Sequence, residues 1–155
     1  AMLVVENGDL EQKVTASEHA ASTPESSIYL EAGEVLSRMD LLYAALLPSA
    51  NDACTALAES IAGDEASFVV QMNKRASELG LKNTHYANPH GLDAEGHYTS
   101  AYDLALLTRQ ALSYPLFAQV AKTKNITIPW QAKDEDRVLY NELRLVSGRD
   151  QGEFY

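Results

Sequence analysis

The sequence predicts a mainly α-helical chain with a small β portion towards its C-terminal end. Three observations carry that expectation. Between Asn51 and Leu112, apolar residues recur at helical spacing in three segments, each with its own start and stop signals. After Lys124 the period changes to two. No repeat, linker or low-complexity stretch divides the 155 residues, so they read as a single domain, 1–155.

Taken in order, Leu3 to Leu10 reads as the tail of a helix that ends near Gly8. Lys13-Val14-Thr15 is β-prone but short. Residues 16–34 are rich in Ser, Ala, Glu and Gly and read as loops, with one extended piece at Ile28-Tyr29-Leu30. Asp40 is expected to cap a helix over Leu41–Leu47, which Pro48 ends. The next helix covers Asn51–Ala62, with Ala53, Leu57, Ala58 and Ile61 on one face and Gly63 as its stop. Asp64 caps the following one, striped by Phe68, Val69, Met72, Ala76 and Leu79 and closed by Gly80. Ser100 and Asp103 have capping-box spacing for a helix expected to bury Leu104, Leu107, Ala111 and Leu112. Pro115 starts a short helix through Val120. Ile126 and Ile128 then alternate with polar residues, and Arg137–Val146 has strand character, so the end reads as a hairpin.

Charge and cysteine content exclude several functions. Twenty-two acidic residues against twelve basic ones give a net charge of -10, which repels phosphate backbones, so no nucleic-acid partner is expected. Cys54 is the only cysteine, so neither an intrachain disulfide nor a cysteine-based zinc site can form. The longest apolar run, Leu41–Leu47, is too short to span a bilayer. Ala1 before Met2 reads as the scar of a cleaved tag, and the abrupt Leu3-Val4-Val5 reads as a cut through a longer protein.

The candidate chemistry centres on Pro48-Ser49-Ala50-Asn51-Asp52. One reading is structural: Ser49 and Asp52 form a capping box where Pro48 breaks the preceding helix. The other is functional. Residues two apart point about 200° apart on a helix but to one side in an extended turn. Ser49 and Asn51 would then face one cleft above a helix N-terminus, suited to proton relay and substrate-amide binding. A second candidate is the unpatterned loop from Asn83 to Ser100, whose length favours function. It carries His85, His90 and His97. No carboxylate–histidine metal signature accompanies them, so no metal is assigned, and His90 is expected in local hydrogen bonds beside a cleft. Nucleotide-binding glycine motifs and the Gly-x-Ser-x-Gly elbow are absent from the sequence.

Several stretches in collinear order resemble one family. They are Ala20-Ala21-Ser22, Leu41-Leu42-Tyr43-Ala44-Ala45-Leu46-Leu47-Pro48-Ser49-Ala50-Asn51-Asp52-Ala53, Met72-Asn73, Leu79-Gly80-Leu81-Lys82-Asn83-Thr84-His85, Asn88-Pro89-His90-Gly91-Leu92-Asp93 and Tyr102-Asp103-Leu104-Ala105. The chain is thereby similar to the serine-type D-alanyl-D-alanine carboxypeptidases, the low-molecular-mass penicillin-binding proteins, from about Met2 to about Leu145. The resemblance implies the helical lobe of a β-lactamase/transpeptidase-like α+β fold, lacking most of the sheet. It also implies a bacterial cell-envelope enzyme, exported, that removes the terminal D-Ala of peptidoglycan stem peptides through a serine acyl-enzyme and that β-lactams inhibit.

Such enzymes gather Ser-x-x-Lys, Ser-x-Asn and Lys-Thr-Gly around one cleft. Ser49-Ala50-Asn51 matches the second motif. No serine of this chain has a lysine three positions on, and Lys122-Thr123-Lys124 is not Lys-Thr-Gly. The tail Arg149–Tyr155 departs from the family pattern. The chain is therefore expected to be a partial peptidase domain, without nucleophile or general base and inactive alone. The resemblance gives Ser49 a proton-relay role, has Asn51 hold the substrate's peptide carbonyl, and adds His90 as a second substrate-binding residue that shapes the cleft from its loop. No cofactor is implied. With much of the sheet missing, bare strand edges are expected to favour a homodimer. The alternative function is a non-catalytic peptidoglycan-binding or protein-interaction module derived from the same fold.

Overall fold

In the computed structural model, which describes residues 1–148, the chain opens with helix α1 (Met2–Asn7). It stops at Gly8, whose φ of 71° suits a residue without a Cβ. Strand β1 (Lys13–Thr15) pairs antiparallel with β2 (Val35–Ser37), Val14 opposite Leu36. Between them lies a four-residue helix, α2 (Glu18–Ala21), capped by Ser17. Neither α2 nor β2 is expected from the sequence, because three or four residues are too few to display a period. Ile28-Tyr29-Leu30 is not an extended piece: Tyr29 has φ 59°. The amides of Ile28 and Leu30 both turn inward to the Asp52 carboxylate, and that bends the chain.

Helix α3 (Arg38–Leu46) starts three residues before the expected site. Ser37 is its N-cap, and Asp40 is the N3 partner that accepts from the Ser37 N–H at 3.1 Å, completing a capping box. Helices α4 (Asn51–Ala62) and α5 (Glu65–Glu78) lie as expected, α5 under the Asp64 cap, whose carboxylate accepts from Ser67 N at 2.7 Å. Helix α6 (Ala101–Leu112) is rotated relative to expectation. Leu104 and Leu112 are half exposed, whereas Asp103 and Ala111 are buried. The cause is Asp103: Ser100 caps its N–H, but its carboxylate accepts from Asn83 N and the Thr84 hydroxyl instead of returning to the cap. Burying Asp103 turns the i, i+4, i+8 set of 103, 107 and 111 inward and leaves 104 and 112 outside.

Helix α7 (Pro115–Ala121) leads into the hairpin of β3 (Asn125–Trp130) and β4 (Glu135–Tyr140), joined by a 3₁₀ turn at Gln131–Lys133. Ile126 pairs with Leu139 and Ile128 with Arg137. The second strand ends at Tyr140, short of the expected Val146. Asn141 ends it by donating to the carbonyls of Ala121 and Thr123 and accepting from Leu143 N, which opens the short α8 (Arg144–Ser147). The tail Arg149–Tyr155 lies outside the described residues.

Helix α4 is the hub, touching α1, α2, α3, α5 and β1. Its small residues Ala53, Ala56 and Ala58 are buried and let neighbours approach closely. The hairpin docks on this body through Ile128 and Leu139, which join its apolar core, and through polar bonds. Gln131 bonds both backbone groups of Val35, at 3.0 and 2.9 Å, mimicking a strand partner for β2. Arg137, 5% exposed, pairs with Glu34 at 2.5 Å and donates to Ile28 O at 3.0 Å. Each strand has one neighbour and Gln131 bonds the β2 edge at Val35 alone; nothing among the described residues supports the homodimer expected from bare strands. Removing one member of a buried ion pair strands the other. Glu34→Ala is therefore expected to lower the urea-unfolding free energy by about 3–5 kcal/mol. A Glu34→Leu, Arg137→Met double variant should lose clearly less.

Candidate active site

The break between α3 and α4 places the Ser-x-Asn motif. Pro48 prevents a continuous helix, and the turn is pinned on both sides by the fully buried Leu47 and Ala50. Leu47 N donates to Tyr43 O, Ala50 N reaches back to Ala44 O at 3.0 Å, and Glu142 N donates to Leu47 O at 3.0 Å. Between these anchors Ser49 is exposed and holds φ 58°. A non-glycine residue in that region costs about 1–3 kcal/mol and persists where its surroundings over-determine it.

The capping-box reading of Ser49 and Asp52 does not hold. The N-cap of α4 is Ala50, and no side chain caps it. The Ser49 hydroxyl is left outward, and Asp52 turns to another task. Its carboxylate, fully buried, accepts from Ser27 Oγ at 2.6 Å, Leu30 N at 3.0 Å, Ile28 N at 3.3 Å and Ala53 N at 2.9 Å. The helix N-terminus, where the macrodipole favours negative charge, thus already holds its own carboxylate.

Asn51, the first residue of α4, is 6% exposed. Its backbone N–H donates to Ser26 O at 2.7 Å and its side-chain Nδ2 to Pro24 O at 2.9 Å. That bond uses one of the two protons an amide nitrogen carries. Ser49 and Asn51 thus share the break but sit at different depths, the serine open and the asparagine beneath the Pro24–Leu30 strap. A groove lined by Ser27, Tyr29, Pro48, Trp130, Arg137 and Tyr140 abuts the turn.

His90 is held elsewhere, near the start of α5. Its Nδ1 accepts from Leu92 N at 3.3 Å and its Nε2 lies 3.7 Å from Glu65 Oε1, while His19 Nε2 sits 3.0 Å from Oε2 of the same carboxylate. His85 bonds Gly96 O and stacks on Tyr98, and His97 accepts from Ala87 N. Among the described residues no group of three or more His, Cys, Asp or Glu could hold a metal ion. Burial pushes the Cys54 thiol up to about 11, which makes it a poor nucleophile near neutrality. The strap and the acceptor role of Asp52 escape a reading of the sequence alone. The available signal is an acid directly after the motif asparagine, which the spacing assigns to a cap.

With this geometry in place, the comparisons define the class. The D-alanyl-D-alanine carboxypeptidase of Mycobacterium tuberculosis H37Rv superposes with a TM-score of 0.87 at 27% identity, covering 97% of this chain and 56% of that one. The Streptomyces K15 DD-transpeptidase gives 0.85 at 27% identity, covering 96% of this chain and 63% of that one. The fold is therefore the helical part of a penicillin-binding, transpeptidase-like domain. The D-alanyl-D-alanine carboxypeptidase family model matches residues 1–152, and the chain belongs to that family. A curated relative, D-alanyl-D-alanine carboxypeptidase DacF of Bacillus subtilis, is 50% identical over 105 residues, covering 68% of this chain and 27% of the relative. The chain thus spans about a quarter of that relative's length.

The environment of His90 fixes the sign of a pH effect. Burial, the largest influence, lowers its pKa; Glu65 opposes this, and His97 and His19 add to the lowering. Folding therefore favours the neutral ring. That contribution is complete above the unfolded value of about 6.5 and is lost as pH falls from there towards the native pKa. His90→Gln is expected to flatten the decline in unfolding free energy between about pH 7 and 5. Parallel wild-type and variant curves in urea titrations would contradict this.

Proposed function

We propose that this chain is the helical lobe of a bacterial, extracytoplasmic D-Ala-D-Ala carboxypeptidase and supplies its Ser-x-Asn motif. The observation that carries the reading is the strained, exposed Ser49 two residues before a buried, doubly bonded Asn51 at a helix break. Strain of this kind clusters where function requires a side chain to be aimed. In the intact enzyme a serine nucleophile attacks the carbonyl carbon of the penultimate D-Ala. The C–N bond to the terminal D-Ala breaks, and the departing amine takes a proton that Ser49 relays. Water then hydrolyses the ester and frees the serine. Asn51 donates its second N–H to a carbonyl of the stem peptide and so fixes its register. His90 shapes the neighbouring loop through the Leu92 and Glu65 contacts.

Peptidoglycan stem peptides and β-lactams are the ligands this reading assigns, and the cell envelope is the location. No described helix is long and apolar enough to cross a membrane.

Two outcomes test the reading. In the intact protein, Ser49→Ala should slow acylation by a D-Ala-D-Ala peptide on the order of 10²-fold or more, the usual contribution of a proton-transfer group. An unchanged rate would remove Ser49 from the mechanism. The 155-residue chain alone contains no Ser-x-x-Lys. It should therefore show no covalent band after incubation with a fluorescent penicillin on a denaturing gel, and a stable band would refute the assignment.

A further inference from the structure

We propose that Asp52 is a positioning residue: its buried carboxylate ties the Pro24–Leu30 strap onto the first turn of α4 and thereby sets the orientation of the Asn51 amide. The proposal rests on the reading that Asn51 holds the substrate carbonyl.

Three of the four bonds Asp52 accepts come from the strap, from Ser27 Oγ, Ile28 N and Leu30 N, and only the bond from Ala53 N belongs to the helix. A carboxylate is acceptor-only, so it can satisfy several inward-pointing donors at once; a neutral amide in its place would present its own donor to them. The strap does not hold this shape cheaply. Glu25 and Tyr29, on either side of Ser26-Ser27, have φ of 69° and 59°. Such backbone persists only where the surroundings fix it.

The same strap supplies both acceptors that Asn51 uses, Ser26 O for the backbone N–H and Pro24 O for the side chain. Asp52 and Asn51 are thus two ends of one clamp. Asp52 pulls the strap down onto α4, and the strap's carbonyls hold the amide with its nitrogen, not its oxygen, bound to Pro24. Ser27 stiffens the arrangement by accepting from Tyr29 N at 2.7 Å while it donates to Asp52. A second tether, Arg137 Nη1 to Ile28 O at 3.0 Å, holds the strap from the hairpin side. If the strap lifts, Pro24 O leaves the amide. Asn51 can then rotate and offer its oxygen to a substrate carbonyl, which repels it.

The test is a double-mutant cycle in the intact enzyme, read as the rate of acylation by a D-Ala-D-Ala peptide. Asp52→Asn should slow acylation on the order of 10-fold to 100-fold, the scale of a misplacement near 1 Å. In an Asn51→Ala background the same substitution should change the rate by less than about 2-fold, because the group it orients is gone. Ser27→Ala should shift the rate in the same direction by less, and Ser27→Thr, which keeps the hydroxyl, should restore it. If Asp52→Asn does not fold, the Ser27 variants decide through the same cycle. Equal losses with and without the Asn51→Ala substitution would overturn the positioning role and leave the Asn51 assignment intact. An Asn51→Ala enzyme that acylates at the normal rate would overturn the Asn51 assignment itself, and this proposal with it.

Discussion

The burial of Asp52 constrains much of this half of the molecule. A carboxylate without solvent must be met by donors, and only one donor on its own helix is in reach. The others come from a segment more than twenty residues earlier in the chain. That requirement draws the Pro24–Leu30 strap across the N-terminus of α4 and bends the backbone at Tyr29. It also brings the carbonyls of Pro24 and Ser26 over Asn51. The long excursion between β1 and β2 is therefore a fitted cover. Its α2 end is tied separately, through Thr23 to Thr55 and Ser17 to Glu59, both on α4.

Helix α4 can accept this cover because its first two turns carry small residues that are buried on several sides at once. Packing on α1, α3, α5 and β1 fixes its axis, and the strap fixes its N-terminal end. The hairpin then adds a third constraint. Glu142 N holds Leu47 O just before the turn, and Arg137 holds both Glu34 and Ile28 O. Ser49 lies between Leu47, whose carbonyl Glu142 N holds, and Ala50 and Asn51, held by Ala44 O and the strap; this fixing of its neighbours keeps a serine at φ 58° on an exposed turn.

Helices α4, α5 and α7 are legible in the sequence because each has an apolar stripe with a cap, a glycine or a proline at its ends. The hairpin is legible from its period of two. Several of the errors concern helix N-termini, where an acidic residue reads as a purely local cap. At Asp40 the box is real but begins at Ser37. At Asp103 and Asp52 the carboxylate is spent on a distant segment, on Asn83 and Thr84 in one case and on Ser27–Leu30 in the other. Spacing alone cannot separate these, because the choice depends on which loop folds over the helix end. Ser49 and Asn51 are singled out in the sequence by collinear resemblance, and their roles rest on the proposed function. The strap that bonds Asn51 is not singled out, since its bonds use backbone carbonyls that any residue provides.

Under the proposed function, the α3–α4 break forms one wall of the cleft in the intact enzyme, with the Asn51 amide already bound to Pro24 O before any ligand arrives. The most direct measurement is a crystal structure of the intact protein acylated by a penicillin. Ser49 Oγ and Asn51 Nδ2 are expected within about 3 Å of polar atoms of the bound ligand or its ester. Asn51 should keep its bond to Pro24 O, and Asp52 its bonds to Ile28 and Leu30. A ligand bound away from this turn, or an Asn51 amide that swings off Pro24 to reach it, would contradict the account.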